Sequence, residues 1–242
     1  MTFKKISTGI PGLDEVLKGG LRENNSVLIS GGPGTGKSIM GMQFLIEGAK
    51  KKEKGLCILY ETRKEDYITY AEELGLGIKK YIDSGMIEIA QQPIVIKKIV
   101  SLDAPLSKIR EGKVKRVVLD SLTMFSYIHI SEDRDYRKKI IDFLDQVKNV
   151  TLVATAEATG PNLDEYNFRP EEFLFDGVIR LTKVRLEASF ERVMHVSKMR
   201  GQEHEIKVYP FFIDKGGLKI YPDQFPFSLV EEMKPQKSKN KK

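Results

Sequence analysis

The sequence predicts a three-layer α/β domain: a mainly parallel central sheet covered by helices, with an antiparallel β extension at its C-terminal end. Three observations predict it. From Ser26 onward, short apolar runs alternate with longer amphipathic ones, the pattern of strand, helix, strand, helix. A glycine-rich segment, GGPGTGKS at 31–38, stands at the first strand-to-helix junction. After Phe175 the amphipathic runs stop, and closely spaced alternating segments follow with turn residues between them.

SVLIS (26–30) reads as the first core strand and KSIMGMQFLIEGAK (37–50) as its helix; GLCILY (55–60) and KEDYITYAEEL (64–74) repeat the unit. Further strands are expected at MIEIA (86–90), VKRVVLD (114–120) and VTLVATA (150–156), with a helix over about 134–148 before the last. The extension comprises GVIRLTKV (177–184), RVMHVSKM (192–199), HEIKVYPFFI (204–213) and GLKIYP (217–222), a meander at the sheet's edge. No internal linker interrupts the pattern, so residues 1–233 are expected to form one domain.

The formal net charge of +6 does not describe that domain. The last nine residues, KPQKSKNKK (234–242), hold five Lys and no acid, and without them the body carries 35 basic against 34 acidic side chains. The tail is expected to be disordered, and the body is nearly neutral. One cysteine, Cys57 inside LCILY, excludes a disulfide within the chain and reads as a buried, inert thiol. No run approaches the ~18 apolar residues of a membrane span, and MTFKKISTG lacks the apolar stretch of a signal peptide, so a cytoplasmic location is expected. Abundant Lys, Ile and Glu, with no Trp, suit a thermophile.

GGPGTGKS matches the phosphate-loop pattern with Gly31, Gly36, Lys37 and Ser38 in register. Its chemistry follows from the residue types. Glycines let backbone N–H groups wrap phosphate oxygens at a helix N-terminus, Lys37 places a charge on the β and γ phosphates, and the Ser38 hydroxyl can coordinate Mg²⁺. The binding residues are therefore expected to be Gly32, Pro33, Gly34, Thr35, Gly36, Lys37, Ser38 and Ile39. Asp120, which ends the strand KRVVLD, is the carboxylate expected on the metal side.

Several blocks together resemble the RecA-like ATPases of the KaiC type, common in archaea and related to the cyanobacterial clock protein. They are STGIPGLDEVLKGGL (7–21), which alone is an amphipathic helix with a glycine C-cap, the phosphate loop, GLCILYE, RVVLDSLT, FDGVIRL (175–181) and SKMRGQEHEIKVYPFFI (197–213). The last is the most specific. The resemblance implies a homohexameric ring with ATP and Mg²⁺ between subunits. It implies that Lys198 and Arg200 reach the neighbour's γ-phosphate as an arginine finger does, and that Gln202 and His204 line the same interface. It also implies that Glu61 orients and deprotonates the attacking water, although many members carry two adjacent glutamates where this chain has Glu61-Thr62.

Two departures limit the carry-over. The clock protein has two copies of the domain and phosphorylates a Ser-Thr pair where this chain has Glu172-Phe173, so self-phosphorylation there is excluded. The segment TGPNLDEYNFRPEE (159–172), which enters the bore in the related DNA recombinases, holds four acids and one Arg and would repel phosphates. The leading expectation is a slowly hydrolysing ATPase ring acting as a switch on an unidentified protein partner. The alternatives are a recombinase-like DNA-binding paralogue and a protein kinase using the same site.

Overall fold

The computed structural model describes residues 3–92, 103–124, 133–158, 169–186 and 188–232, with the side chains of 133–136 and 230–232 outside that description. A short ribbon pairs β1 (Lys5–Ile6) with β2 (Leu21–Arg22) and brackets α1 (Leu13–Val16). The domain proper follows: β3 (Ser26–Gly31), α2 (Lys37–Lys50), β4 (Gly55–Leu59), α3 (Lys64–Glu73), α4 (Lys79–Asp83), β5 (Ile87–Gln91), α5 (Asp103–Arg110), β6 (Arg116–Asp120), α6 (Asp133–Gln146) and β7 (Thr151–Glu157). A 3₁₀ turn (Pro170–Phe173) then leads into β8 (Gly177–Leu186), β9 (Ser189–Met199), β10 (Val208–Asp214), β11 (Gly217–Ile220) and α7 (Phe227–Glu232).

Among the described residues, nine strands form one sheet in the order β11-β10-β9-β8-β3-β7-β6-β4-β5. From β8 to β5 every pairing is parallel, and from β8 to β11 every pairing is antiparallel. The expected meander is thus present, but its first strand also closes the parallel sheet against β3. One face packs against α2 through Met40, Phe44 and Leu45, meeting Val27, Ile29, Cys57 and Val118. The other packs against α5 and α6 through Leu106, Ile109, Ile140 and Phe143, meeting Leu28, Ile58 and Leu119. Each core strand therefore buries both sets of its alternating side chains, which is why VVL and VLI are continuous apolar runs. Cys57 is fully buried and its thiol is pushed well above the usual range by desolvation, as expected of an inert core thiol.

The lead-in segment departs from its sequence reading. Its helix has four residues, and Asp14 Oδ1 accepts hydrogen bonds from both the amide and the hydroxyl of Thr8 (2.8 and 2.6 Å), which fixes the turn that leads into it. It ends in a Schellman-type pair, Lys18 N–H to Glu15 O (2.9 Å) and Gly19 N–H to Asp14 O (2.7 Å). Lys18, at φ 53°, takes the left-handed position that the sequence assigned to glycine. Among the described residues, no helix is long and apolar enough to cross a membrane.

Candidate nucleotide site

The phosphate loop joins the C-terminal end of β3 to α2, and β3 lies inside the parallel sheet between β8 and β7. Gly36 caps α2 at φ 100° with no side-chain hydrogen bond, and the helix's first turn carries no acid. The first amides of α2 are therefore left to an anionic ligand, aided by the helix dipole. A Cβ at Gly36 would stand 2.8 Å from Ile213 Cδ1, so backbone and packing both require glycine there. Thr35 Oγ1 braces the loop by donating to Gly32 O (2.8 Å). Lys37 Nζ donates to Gly31 O (2.8 Å) and Gly32 O (3.0 Å), holding its charge at the centre of the loop. Burial lowers its proton affinity, the carboxylates of Asp120, Glu157 and Glu61 oppose that, and Lys183 adds to the lowering. Three carboxylates and a second lysine thus share the surroundings of Lys37.

Those carboxylates come from the ends of three neighbouring strands, the edge where ligands of open α/β sheets bind. Asp120 ends β6, is 8% exposed, and accepts a 2.5 Å hydrogen bond at Oδ1 from Thr155 Oγ1 of β7. Its carbonyl accepts from Tyr60 N–H (2.8 Å), which ties the exit of β4 to that of β6 and brings Glu61 alongside. Glu61 is exposed, and its Oε1 accepts from the buried Ser121 hydroxyl (2.7 Å). Glu157 was not singled out from sequence. It ends β7 in register with Gly31, and its amide donates to Thr123 Oγ1 (3.0 Å). The signal was available, since VTLVATAE repeats the strand-then-carboxylate form of KRVVLD.

A divalent cation could draw on the Ser38 hydroxyl and the Asp120 carboxylate, both hard oxygen donors. Among the described residues no three His, Cys, Asp or Glu side chains form a metal cage. The donor set fits Mg²⁺, which takes few protein ligands and fills its shell with phosphate oxygens and water.

The structure does not bring Lys198 and Arg200 to this loop. Lys198 pairs with Val178 and Met199 with Gly177, and Gly177 in turn pairs with Val27 at the opposite end of β3 from the phosphate loop. From Val27 to Gly31 the strand advances about 13 Å. Instead, Lys198 Nζ donates to the carbonyls of Glu172 (3.0 Å), Phe173 (3.2 Å) and Phe175 (2.5 Å), and Arg200 Nη2 to that of Phe173 (2.6 Å). Burial, then the charge of Arg200, lowers the proton affinity of Lys198.

Gln202 has a structural task. Its two amide protons go to Leu17 O (2.9 Å) and Gly20 O (2.7 Å), and its Oε1 accepts from Arg22 N–H (3.1 Å). His204 is half-buried in the same segment, beside Glu205, whose amide donates to Val16 O (3.0 Å).

One electrostatic expectation is corrected. Of the four acids in 159–172, Glu171 and Glu172 are buried and paired, with Arg169 (3.6 Å) and Arg180 (2.6 Å). They do not confront solvent, and residues 159–168, which hold the other two, lie outside the described residues.

A RecA-like sheet with a phosphate loop at its centre and strand-end carboxylates beside it defines an ATP-binding ATPase domain of the RecA superfamily. The chain belongs to the KaiC family of ATPases, whose description, "ATPase: KaiC", matches residues 6–225. A UPF0273 protein of Pyrococcus furiosus is 30% identical over 239 residues, covering 91% of this chain and 95% of that one. The circadian clock oscillator protein KaiC of Parathermosynechococcus lividus is 31% identical over 234 residues, 90% of this chain but 42% of that longer protein. The crystal structure of a KaiC-like protein from Pyrococcus horikoshii superposes with a TM-score of 0.76 at 31% identity, covering 91% of this chain and all of that one.

Proposed function

We propose that the protein is a slowly hydrolysing ATPase that assembles as a ring, with ATP between adjacent subunits and its nucleotide state setting affinity for a protein partner. The carrying observation is the placement of Lys198 and Arg200 at the far end of β8 and β9 from the chain's own phosphate loop. Cations there serve a nucleotide held by another copy, and a head-to-tail contact of that kind closes into a ring, in this reading a hexamer.

Within one subunit the loop amides and Lys37 hold the β and γ phosphates, with Ile39 in the first turn of α2 beyond them. Ser38 and Asp120 hold Mg²⁺, which when bound neutralises charge on the phosphate oxygens. Glu61 orients the attacking water and takes its proton as the γ-phosphoryl leaves. Lys198 and Arg200 of the adjacent subunit, with His204 on the same segment, meet the charge that develops on that group.

Light scattering without nucleotide, with ADP, and with ATP and Mg²⁺ tests this. A hexamer that depends on ATP is expected. A monomer under all three conditions overturns the reading. Strong stimulation of the ATPase by single-stranded DNA, with steep salt dependence, would favour the recombinase-like alternative instead.

A further inference from the structure

Lys37 is not the only cation at the phosphate loop. Lys183, on β8, donates from Nζ to Pro33 O at 3.1 Å, and a Cβ at Gly34 would meet that Nζ at 3.0 Å. Gly34 holds φ 68°, so the loop passes beneath the ammonium with bare backbone. The placement follows from strand parity. Ile179 and Leu181 face the core beneath α2, and Lys183 continues that face past the end of β3, where Leu181 pairs with Gly31.

The opposite strand adds a second observation. Arg192 pairs directly with Lys183, and Met194, two residues along, belongs to the same α2-side core. Nε of Arg192 is buried without an acceptor among the described residues. Two like charges directly opposite each other disfavour a strand pair, so this arrangement works against the sheet. A polyanion between the hairpin and the loop would relieve it. Lys37 and Lys183 also rest in the same manner, each on loop carbonyls, from which an ammonium moves readily to charged oxygens.

We propose that Lys183 is a second phosphate-binding cation, supplied by the same subunit that holds the nucleotide, closing over the phosphate chain from β8 opposite the carboxylates of Glu61, Asp120 and Glu157. It rests on the reading that the loop binds a nucleoside triphosphate. Lys183 is exposed and carries no core packing, so its removal should leave the fold intact.

The test is equilibrium binding of ATP, ADP and AMP, each with Mg²⁺, to the full chain and to Lys183→Ala, Lys183→Arg and Lys37→Ala. Lys183→Ala is expected to weaken ATP about tenfold, ADP less and AMP less than twofold, because a charge-assisted contact is lost only where phosphates reach it. Lys183→Arg should restore most of the ATP affinity, and raising salt should narrow the gap between wild type and Lys183→Ala. Equal weakening of all three nucleotides, or none, overturns the proposal. If Lys37→Ala abolishes binding while Lys183→Ala changes nothing, the triphosphate reading stands and the proposal falls. If the wild-type chain binds none of the three, both fall.

Discussion

The hydroxyl of Ser121 donates a 2.7 Å hydrogen bond to Oε1 of Glu61. Ser121 is buried directly after Asp120, so one turn at the end of β6 carries the carboxylate proposed for the metal side and steers the exposed glutamate at the end of β4. If Glu61 is the base, as proposed, Glu61→Gln is expected to lower kcat by roughly 10² or more. Ser121→Ala only loosens the carboxylate, and a lost bond worth about 1 kcal/mol predicts a fall of about fivefold in kcat with KM unchanged. Steady-state kinetics distinguish the two. A Glu61→Gln rate within a factor of two of wild type would remove Glu61 from the role of base.

His195 gives the domain an acid-sensitive point within the sheet. It lies on β9 opposite Arg180 of β8, with its Nε2 2.9 Å from Ser197 Oγ. Burial, then the charge of Arg180, lowers its pKa from 6.5 to about 4. In the unfolded chain it titrates near the ordinary value, so between about 6.5 and 4 the unfolded state binds more protons and stability is lost as pH falls. Urea midpoints at pH 7 and 4.5 should drop further for wild type than for His195→Gln, with a difference of up to about 3 kcal/mol. Parallel losses in the two proteins would remove His195 as the cause.

Arg116 opens β6 with its side chain fully buried. It pairs with Glu53 (2.7 Å), donates to Ser7 O (2.8 Å) and Phe44 O (3.0 Å), and its guanidinium lies 4.7 Å from the Phe44 ring centroid. It thereby joins the lead-in segment, α2 and the sheet at the end opposite the nucleotide. Arg116→Ala leaves Glu53 without its partner and opens a void beside Gly48, so a loss of about 3–5 kcal/mol is expected. Denaturant unfolding measures it, and ATP affinity of the folded fraction should be unchanged.

The parts of the fold that were legible in the sequence are those where one face or both are apolar without exception. RVVLD and TLVATA announce themselves as strands, and the phosphate loop is legible because its backbone demands glycine at Gly34 and Gly36, both at positive φ, and at Gly31, where a Cβ would meet Leu181 O. Short elements were not legible. In α5, Pro105 lies in the first turn, where its missing N–H costs nothing, so the proline does not break the helix. The ribbon of β1 and β2 is two residues per strand and is held from outside by Gln202, a contact across 180 positions that no local pattern encodes. Glu171 and Glu172 look like solvent charges in the sequence, because burial of a carboxylate depends on Arg169 and Arg180 arriving beside it. Lys183 and Arg192 likewise look like ordinary outward residues of a hairpin until the parity of β8 is referred to the phosphate loop.

Lys198 and Arg200 rest on backbone carbonyls at and just after the end of the 3₁₀ turn. To meet a neighbour's phosphates they must leave Glu172, Phe173 and Phe175, and the catalytic residues of one ATP then come from two chains. That requirement can be tested by complementation. Neither Glu61→Gln nor Arg200→Ala protein should turn over ATP at a useful rate alone. In mixed rings, a subunit with intact Glu61 that receives Arg200 from a Glu61→Gln neighbour has a complete site, and random assembly at equal ratio makes about a quarter of the interfaces complete. Activity should therefore rise on mixing, peak near equal proportions and approach about a quarter of the wild-type rate. If no ratio restores activity although light scattering shows mixed rings, Arg200 does not act in trans. If Arg200→Ala alone retains the wild-type rate, its bond to Phe173 is its whole role.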